Sequence, residues 1–134
     1  MSEPPASADA SRKDFEILQG VWRAVSVEVD GSPVARHHVE NATLVLAGDR
    51  FTLRNPVPDA DQTTEGVFRV DSATVPKGLV LPLDNGQTIQ EIYELDRDTL
   101  KVCYPTRQGK RPSNFKTAPQ SGLSVVVYER DRRI

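Results

Sequence analysis

Two glutamates and a set of tyrosines are the side chains best placed for chemistry in this chain. Glu28 and Glu91 each lie in a run where apolar residues alternate, on the parity that faces the interior. A carboxyl drawn into apolar surroundings has its pKa raised and can act as a general base or hold a polar ligand. The ordinary alternative is a solvated carboxylate at a rim, or one paired with an arginine. Tyr93 and Tyr104 share the inward parity and can offer hydroxyl hydrogen bonds. His37 and His38 are the only histidines, and adjacent side chains in an extended link diverge, which makes a poor metal site. Cys103 is the single cysteine, which excludes an internal disulfide and reads as a buried structural thiol. No Ser-His-Asp arrangement, phosphate-cradling glycine loop or cluster of metal ligands is present, so no catalytic residue, metal or cofactor is expected.

The totals narrow the function further. With 134 residues the chain has room for one domain. The 17 Lys and Arg nearly balance the 19 Asp and Glu, giving a net charge of -2. That balance argues against a nucleic-acid partner and against a polybasic membrane contact. The start lacks the basic and apolar stretches of a signal peptide, and no run is long enough to span a membrane. As written the chain reads as cytoplasmic, or as exported if a leader was removed. One basic segment stands out: 106–121 carries Arg107, Lys110, Arg111 and Lys116 with no acid among them. A loop that long is uncommon without a role, and it could gate a cavity or contact an anion or acidic partner, with Phe115 anchoring it.

The elements that must position these residues follow from periodicity. Residues 1–10, rich in Pro, Ala and Ser, read as a disordered tail, and 11–134 as one domain. Ser11 or Asp14 can cap a short helix carrying Phe15, Ile17 and Leu18, stopped by Gly20. From Val21 the period becomes two. Strands are expected at 21–29, 42–47, 50–55, 65–71, 79–83, 88–95, 99–104 and 123–130, with 56–62 a polar loop containing two prolines. Asp30-Gly31, Gly48-Asp49, Asp84-Asn85-Gly86 and Asp96-Arg97-Asp98 mark the turns. Eight strands joined by short turns, with no crossover helix, fit an all-β antiparallel up-and-down barrel with a short N-terminal helix. Its inner wall is expected to carry Trp22, Ala24, Ser26 and Glu28. Further round it come Phe51, Leu53, Phe68, Val70, Leu79, Leu81, Tyr93 and Leu95, then Leu100, Val102, Tyr104, Val126 and Tyr128. The outer parity of the first strand is unusually apolar, with Val21, Val25, Val27 and Val29. Either the helix covers it or a bulge shifts the register.

Gly20-Val21-Trp22 at the head of the first strand resembles the start of a lipocalin-type barrel. With it go LQGVWRAVSVEVDG at 18–31, GDRFTLR at 48–54, VPKGLVL at 75–81, IYELDRDTLKVCYP at 92–105, RPSNF at 111–115 and the closing VVYERD. On these stretches the chain resembles a bacterial, planctomycete-type family of lipocalin-like domains. The resemblance implies a calycin-type barrel and carries no activity of its own. It also implies that Trp22 plugs one end with Arg130 across its ring, Arg132 being the fallback partner. The family pattern usually has glycines where this chain has Glu91 and Arg97.

Three functions are compatible with such a barrel. The first is binding of a small hydrophobic or amphipathic molecule in the interior. Phe51, Phe68, Glu28, Glu91, Tyr93, Tyr104 and Arg111 are then the candidate contacts, and Trp22 and Arg130 are structural. The second is a protein-interaction module with a filled barrel, working through the 106–121 loop. The third is a cofactor-free cyclase or isomerase that uses Glu28 or Glu91.

Overall fold

The computed structural model describes residues 6–35, 39, 42–57, 60–71, 76–82, 86, 88–105 and 111–131. One helix, α1 (Ala6–Leu18), precedes the strands β1 (Gly20–Val29), β2 (Ser32–Pro33), β3 (Thr43–Ala47), β4 (Arg50–Val57) and β5 (Ala60–Val67). They are followed by β6 (Arg69–Asp71), β7 (Gly78–Pro82), β8 (Thr88–Asp96), β9 (Thr99–Pro105) and β10 (Leu123–Arg130). The strands form one antiparallel sheet in the order β5-β4-β3-β1-β10-β9-β8-β7-β6, with β2 a short addition to β1. Apart from the short β2 between β1 and β3, neighbours in the sheet are neighbours in sequence, except that β10 returns to pair with β1. The result is a nearly closed up-and-down barrel, its seam lying between β5 and β6.

The strand count differs from eight for a local reason. Residues 56–57 and 60–62 belong to the sheet instead of a loop: β4 runs on through Pro56, which pairs with Asp61 of β5. Beyond Arg54 the β3–β4 ladder stops, so among the described residues this part of β4 has a strand neighbour on one side only, where a proline is tolerated. The expected strand at 65–71 is divided at Phe68, whose amide bonds to the Asp49 carbonyl of the β3–β4 turn (2.9 Å). The helix also starts earlier than expected, because Ala6, Ala8 and Ala10 are strong helix formers. Asp14 therefore lies inside the helix and does not cap it. His37, His38, Asp84, Asn85, residues 106–110 and Arg132 lie outside the described residues.

The first strand resolves its own ambiguity by a bulge. Ala24 faces Tyr128 and Ser26 faces Val127, so Val25 is an extra residue. A one-residue insertion exchanges the two faces from there on. Val27 packs against the core. Ser26 and Glu28, both expected inside, are exposed instead, and so is the bulged Val25. On every other strand the expected inner set holds: Phe51, Leu53, Phe68, Val70, Leu79, Leu81, Tyr93, Leu95, Leu100, Val102, Tyr104, Val126 and Tyr128 belong to one core.

α1 closes one end of this barrel. A helix leaves its last carbonyls without partners, and its last turn has no basic residue of its own. The last strand supplies one. Arg130 donates to the carbonyls of Ile17 (2.6 Å) and Gln19 (2.9 Å), and Trp22 Nε1 donates to that of Leu18 (2.8 Å). The guanidinium lies 4.3 Å from the centre of the Trp22 ring, which is fully buried, and pairs with Asp98 at 3.2 Å. The same cation thus meets the negative end of the helix, a carboxylate and an indole face. Gln19 adds a side-chain clasp to Gly48, accepting from its amide (2.6 Å) and donating to its carbonyl (2.9 Å). Deeper in α1, Asp14 accepts from the Tyr93 hydroxyl (2.6 Å) and from Lys77 (3.0 Å), and Phe15 stacks on Phe68 at 5.7 Å.

Two turns differ in how well their residues suit them. Asp30 and Gly31 both have positive φ, 50° and 83°, as a two-residue type I′ hairpin turn requires. Arg97 also has positive φ, 54°, where an L side chain is strained by about 1–2 kcal/mol and glycine is not. Replacing Arg97 by glycine is expected to raise stability by about 0.5–1 kcal/mol, read as a higher urea midpoint, since glycine also loosens the unfolded chain.

Candidate functional site

The barrel interior is not filled. A cavity of about 140 Å³ lies between β3–β4 on one side and β7–β10 on the other. Leu44, Leu46, Phe51 and Leu53 line the first side. Leu79, Leu81 and Ile89 line the second together with Glu91, Val102, Tyr104 and Tyr128, and Phe68, between β5 and β6, also lines the cavity. A smaller void of about 40 Å³ adjoins it and shares Leu53, Tyr104 and Tyr128. The void exists because α1 and Trp22 fill only one end, and the aliphatic residues above them are too short to meet across the barrel.

Among the described residues, Glu91 is the one ionisable carboxyl on this wall, and no basic side chain accompanies it. It sits on β8 opposite Leu79 of β7. In the register of β8 and β9, where Ile92 faces Cys103, the next pair is Glu91 against Tyr104. With no charge or hydrogen bond to offset its burial, desolvation pushes the Glu91 pKa up to about 8. At neutral pH it is therefore mostly a protonated acid, able to donate as well as accept. The Tyr104 hydroxyl is held above its ordinary pKa by burial and by the nearby Glu91. Tyr128 is raised further, by burial, then by Tyr104 and Glu91. Ser124, opposite Tyr104 on β10, has a buried Oγ without a hydrogen bond of ordinary geometry, though it lies near enough to draw the Tyr104 pKa back a little. The polar end of the cavity is therefore a neutral acid and two phenols, with the Ser124 hydroxyl close by.

Of the residues expected to contact a ligand, the fold brings Phe51, Phe68, Glu91 and Tyr104 together on this wall. Three lie elsewhere. Glu28 is turned outward by the bulge and accepts from Thr117 Oγ1 (2.5 Å). Tyr93 points into the core two residues further along β8, but its hydroxyl is taken by Asp14; burial and that carboxylate raise its pKa. Arg111 is outside the barrel and donates to the Pro76 carbonyl. Parity alone did not show Tyr128 and Ile89 as cavity residues, because alternation gives the inward face but not the depth at which packing stops.

The described part of the basic loop is a strap on the outer surface. Lys101, on the outer face of β9, lies over the Phe115 ring at 5.6 Å. Thr117 Oγ1 also accepts from the Gly31 amide (2.9 Å), and Gly122 donates to Asp30 (2.7 Å). Pro112 is buried, and so are Ile92 and Cys103 on the outer face of β8 and β9. Burial, then the nearby Glu91, pushes the Cys103 thiol up to about 11, so it is inert at neutral pH. No residue of 111–122 lines the cavity.

The shape of the cavity depends on Gly66, which faces Phe51 across the β4–β5 ladder. A Cβ there would lie 2.8 Å from Phe51 Cε1, closer than carbon atoms approach. Gly66→Ala is expected to drive the Phe51 ring into the cavity and to cost about 1–3 kcal/mol. The urea midpoint and the Phe51 ring-proton shifts should move together.

No profile of a known protein family matches this chain, and no curated protein matches it either. Among the described residues no helix is long and apolar enough to cross a membrane.

Proposed function

We propose that this protein binds one small, largely apolar molecule inside a lipocalin-like barrel, with Glu91 and Tyr104 as its polar contacts. The observation that carries the reading is the cavity of about 140 Å³, walled by aliphatic and aromatic side chains around a single carboxyl. Ligand pockets combine apolar walls with a few convergent polar groups in this way. A cavity of similar volume lined by Leu, Ile and Phe accommodates a benzene ring, so the size argues for a ligand of about one ring. The open interior also favours this reading over a filled barrel working through its outer strap.

The test is a titration with toluene, followed through the methyl resonances of Leu44, Leu53 and Leu79. Saturable shifts are expected in the parent protein and none in Leu53→Phe, whose added ring occupies the void. No shift in the parent protein would count against the reading.

A second reading, a cofactor-free isomerase, draws on the raised pKa of Glu91 beside Tyr104. Glu28 is not its base, since it lies outside. Under that reading Glu91→Gln abolishes turnover of a bound substrate while leaving its affinity unchanged; under the first it changes affinity alone.

A further inference from the structure

We propose that the cavity is built for a monocyclic nitrogen base, such as an alkylated pyridine or pyrazine, with the ring nitrogen at Glu91. This rests on the binding role proposed above and names the chemical class of the ligand.

The argument is one of elimination by pairing. Among the described residues no Lys, Arg or His lines the wall, so a carboxylate or phosphate ligand there would meet Glu91 with no cation from these residues to offset either charge. A plain hydrocarbon would fit the walls but would seal the Glu91 carboxyl from water without giving it a partner. Leaving such a group unsatisfied costs about 1–3 kcal/mol. A ring nitrogen removes that cost. It accepts the proton carried by Glu91, and the remaining ring carbons meet Leu44, Phe51, Leu79 and Val102. If the proton moves across, one O–H bond breaks and one N–H bond forms, leaving a carboxylate paired with a ring cation. Hydrogen bonds of that charged kind are roughly twice as strong as neutral ones. The size agrees, since a cavity of this volume holds one six-membered ring with little to spare.

The shared proton also sets the pH dependence. Among the described residues, the ionisable groups that sense Glu91 are Tyr104 and, from the opposite face, Cys103 of β9, and Tyr128 of β10, while β7 presents Leu79. All three titrate above Glu91 and stay neutral while it changes charge. Affinity for a weak base should therefore fall above about pH 8, where Glu91 surrenders its proton before the ligand arrives.

The experiment compares 4-methylpyridine, toluene and benzoate by calorimetry at pH 7.5 with the parent protein, Glu91→Gln and Glu91→Leu. The expected result is that 4-methylpyridine binds about 10-fold or more tighter than toluene, and benzoate gives no heat. The advantage shrinks in Glu91→Gln, which keeps a neutral donor, and disappears in Glu91→Leu while toluene still binds. Equal binding of 4-methylpyridine and toluene to the parent protein, or an advantage that survives Glu91→Leu, would overturn the nitrogen-base inference alone. If none of the three binds, the ligand-binding role itself falls with it.

Discussion

Trp22→Ala is expected to remove about 3–5 kcal/mol of folding stability, a large part of what a domain this size has. Three losses coincide at this position. The ring is fully buried, and its removal leaves a void at the closed end that Leu18 and Leu100 cannot fill without moving. Its Nε1 no longer reaches the Leu18 carbonyl, which leaves a buried acceptor at the end of α1. Arg130 loses the indole face under its guanidinium. Because Arg130 also holds the Ile17 and Gln19 carbonyls, the two residues act as one unit. The double variant with Arg130→Met should be less destabilised than the sum of the single variants, by more than about 0.5 kcal/mol. Urea denaturation of the four proteins measures this, and strict additivity would show that the cap and the plug are independent.

The second large effect is on pH. In the folded chain Glu91 keeps its proton up to about pH 8, and in the unfolded chain only to about 4.5. Between these values the folded state binds more protons than the unfolded one, so stability falls as pH rises. The contribution is intact below about pH 4.5 and is lost by the time pH has passed the folded value of about 8. At about 1.4 kcal/mol per unit, the whole window is worth about 4–5 kcal/mol. Glu91→Gln removes this slope and should be the more stable protein at about pH 9. Urea midpoints across that range, taken as the difference between parent and variant, isolate Glu91 from every other acid. A difference that does not change with pH would mean the carboxyl is solvated in the folded protein.

Both effects involve residues that the sequence brings forward, but for different reasons. Trp22 is visible from its place after Gly20 at the head of an alternating run. Glu91 is visible by parity, because β8 is regular and every second side chain keeps its face. Glu28 has the same parity argument and it fails, since the extra residue at Val25 reverses the faces of β1. Nothing local marks that bulge except the excess of valine on the wrong side. The β4–β5 ribbon is hidden by Pro56 and Pro58, which read as a loop unless one knows that β3 begins only at Thr43, opposite Arg54, so that β3 does not pair with the rest of β4. The Asp14–Tyr93–Lys77 cluster joins residues about 80 positions apart at most, a proximity that comes from the barrel's closure and not from spacing along the chain. The cavity is harder still to read. Its residues are the ordinary inner set, and its existence depends on how far α1 and Trp22 reach down the axis.

The pairing of β1 with β10 has a kinetic meaning. The clasp between residues 17–22 and Arg130 joins the first element to the last strand, across more than a hundred residues. Contacts of such long range form late and slow folding. During synthesis β1 has β3 on one edge and nothing on the other until residues 123–130 emerge. A nascent chain stalled before Leu123 should therefore remain open to protease along β1, while one released past Arg130 should become resistant in a single step. The barrel is made in order from one end, but it becomes a barrel only when its last strand arrives.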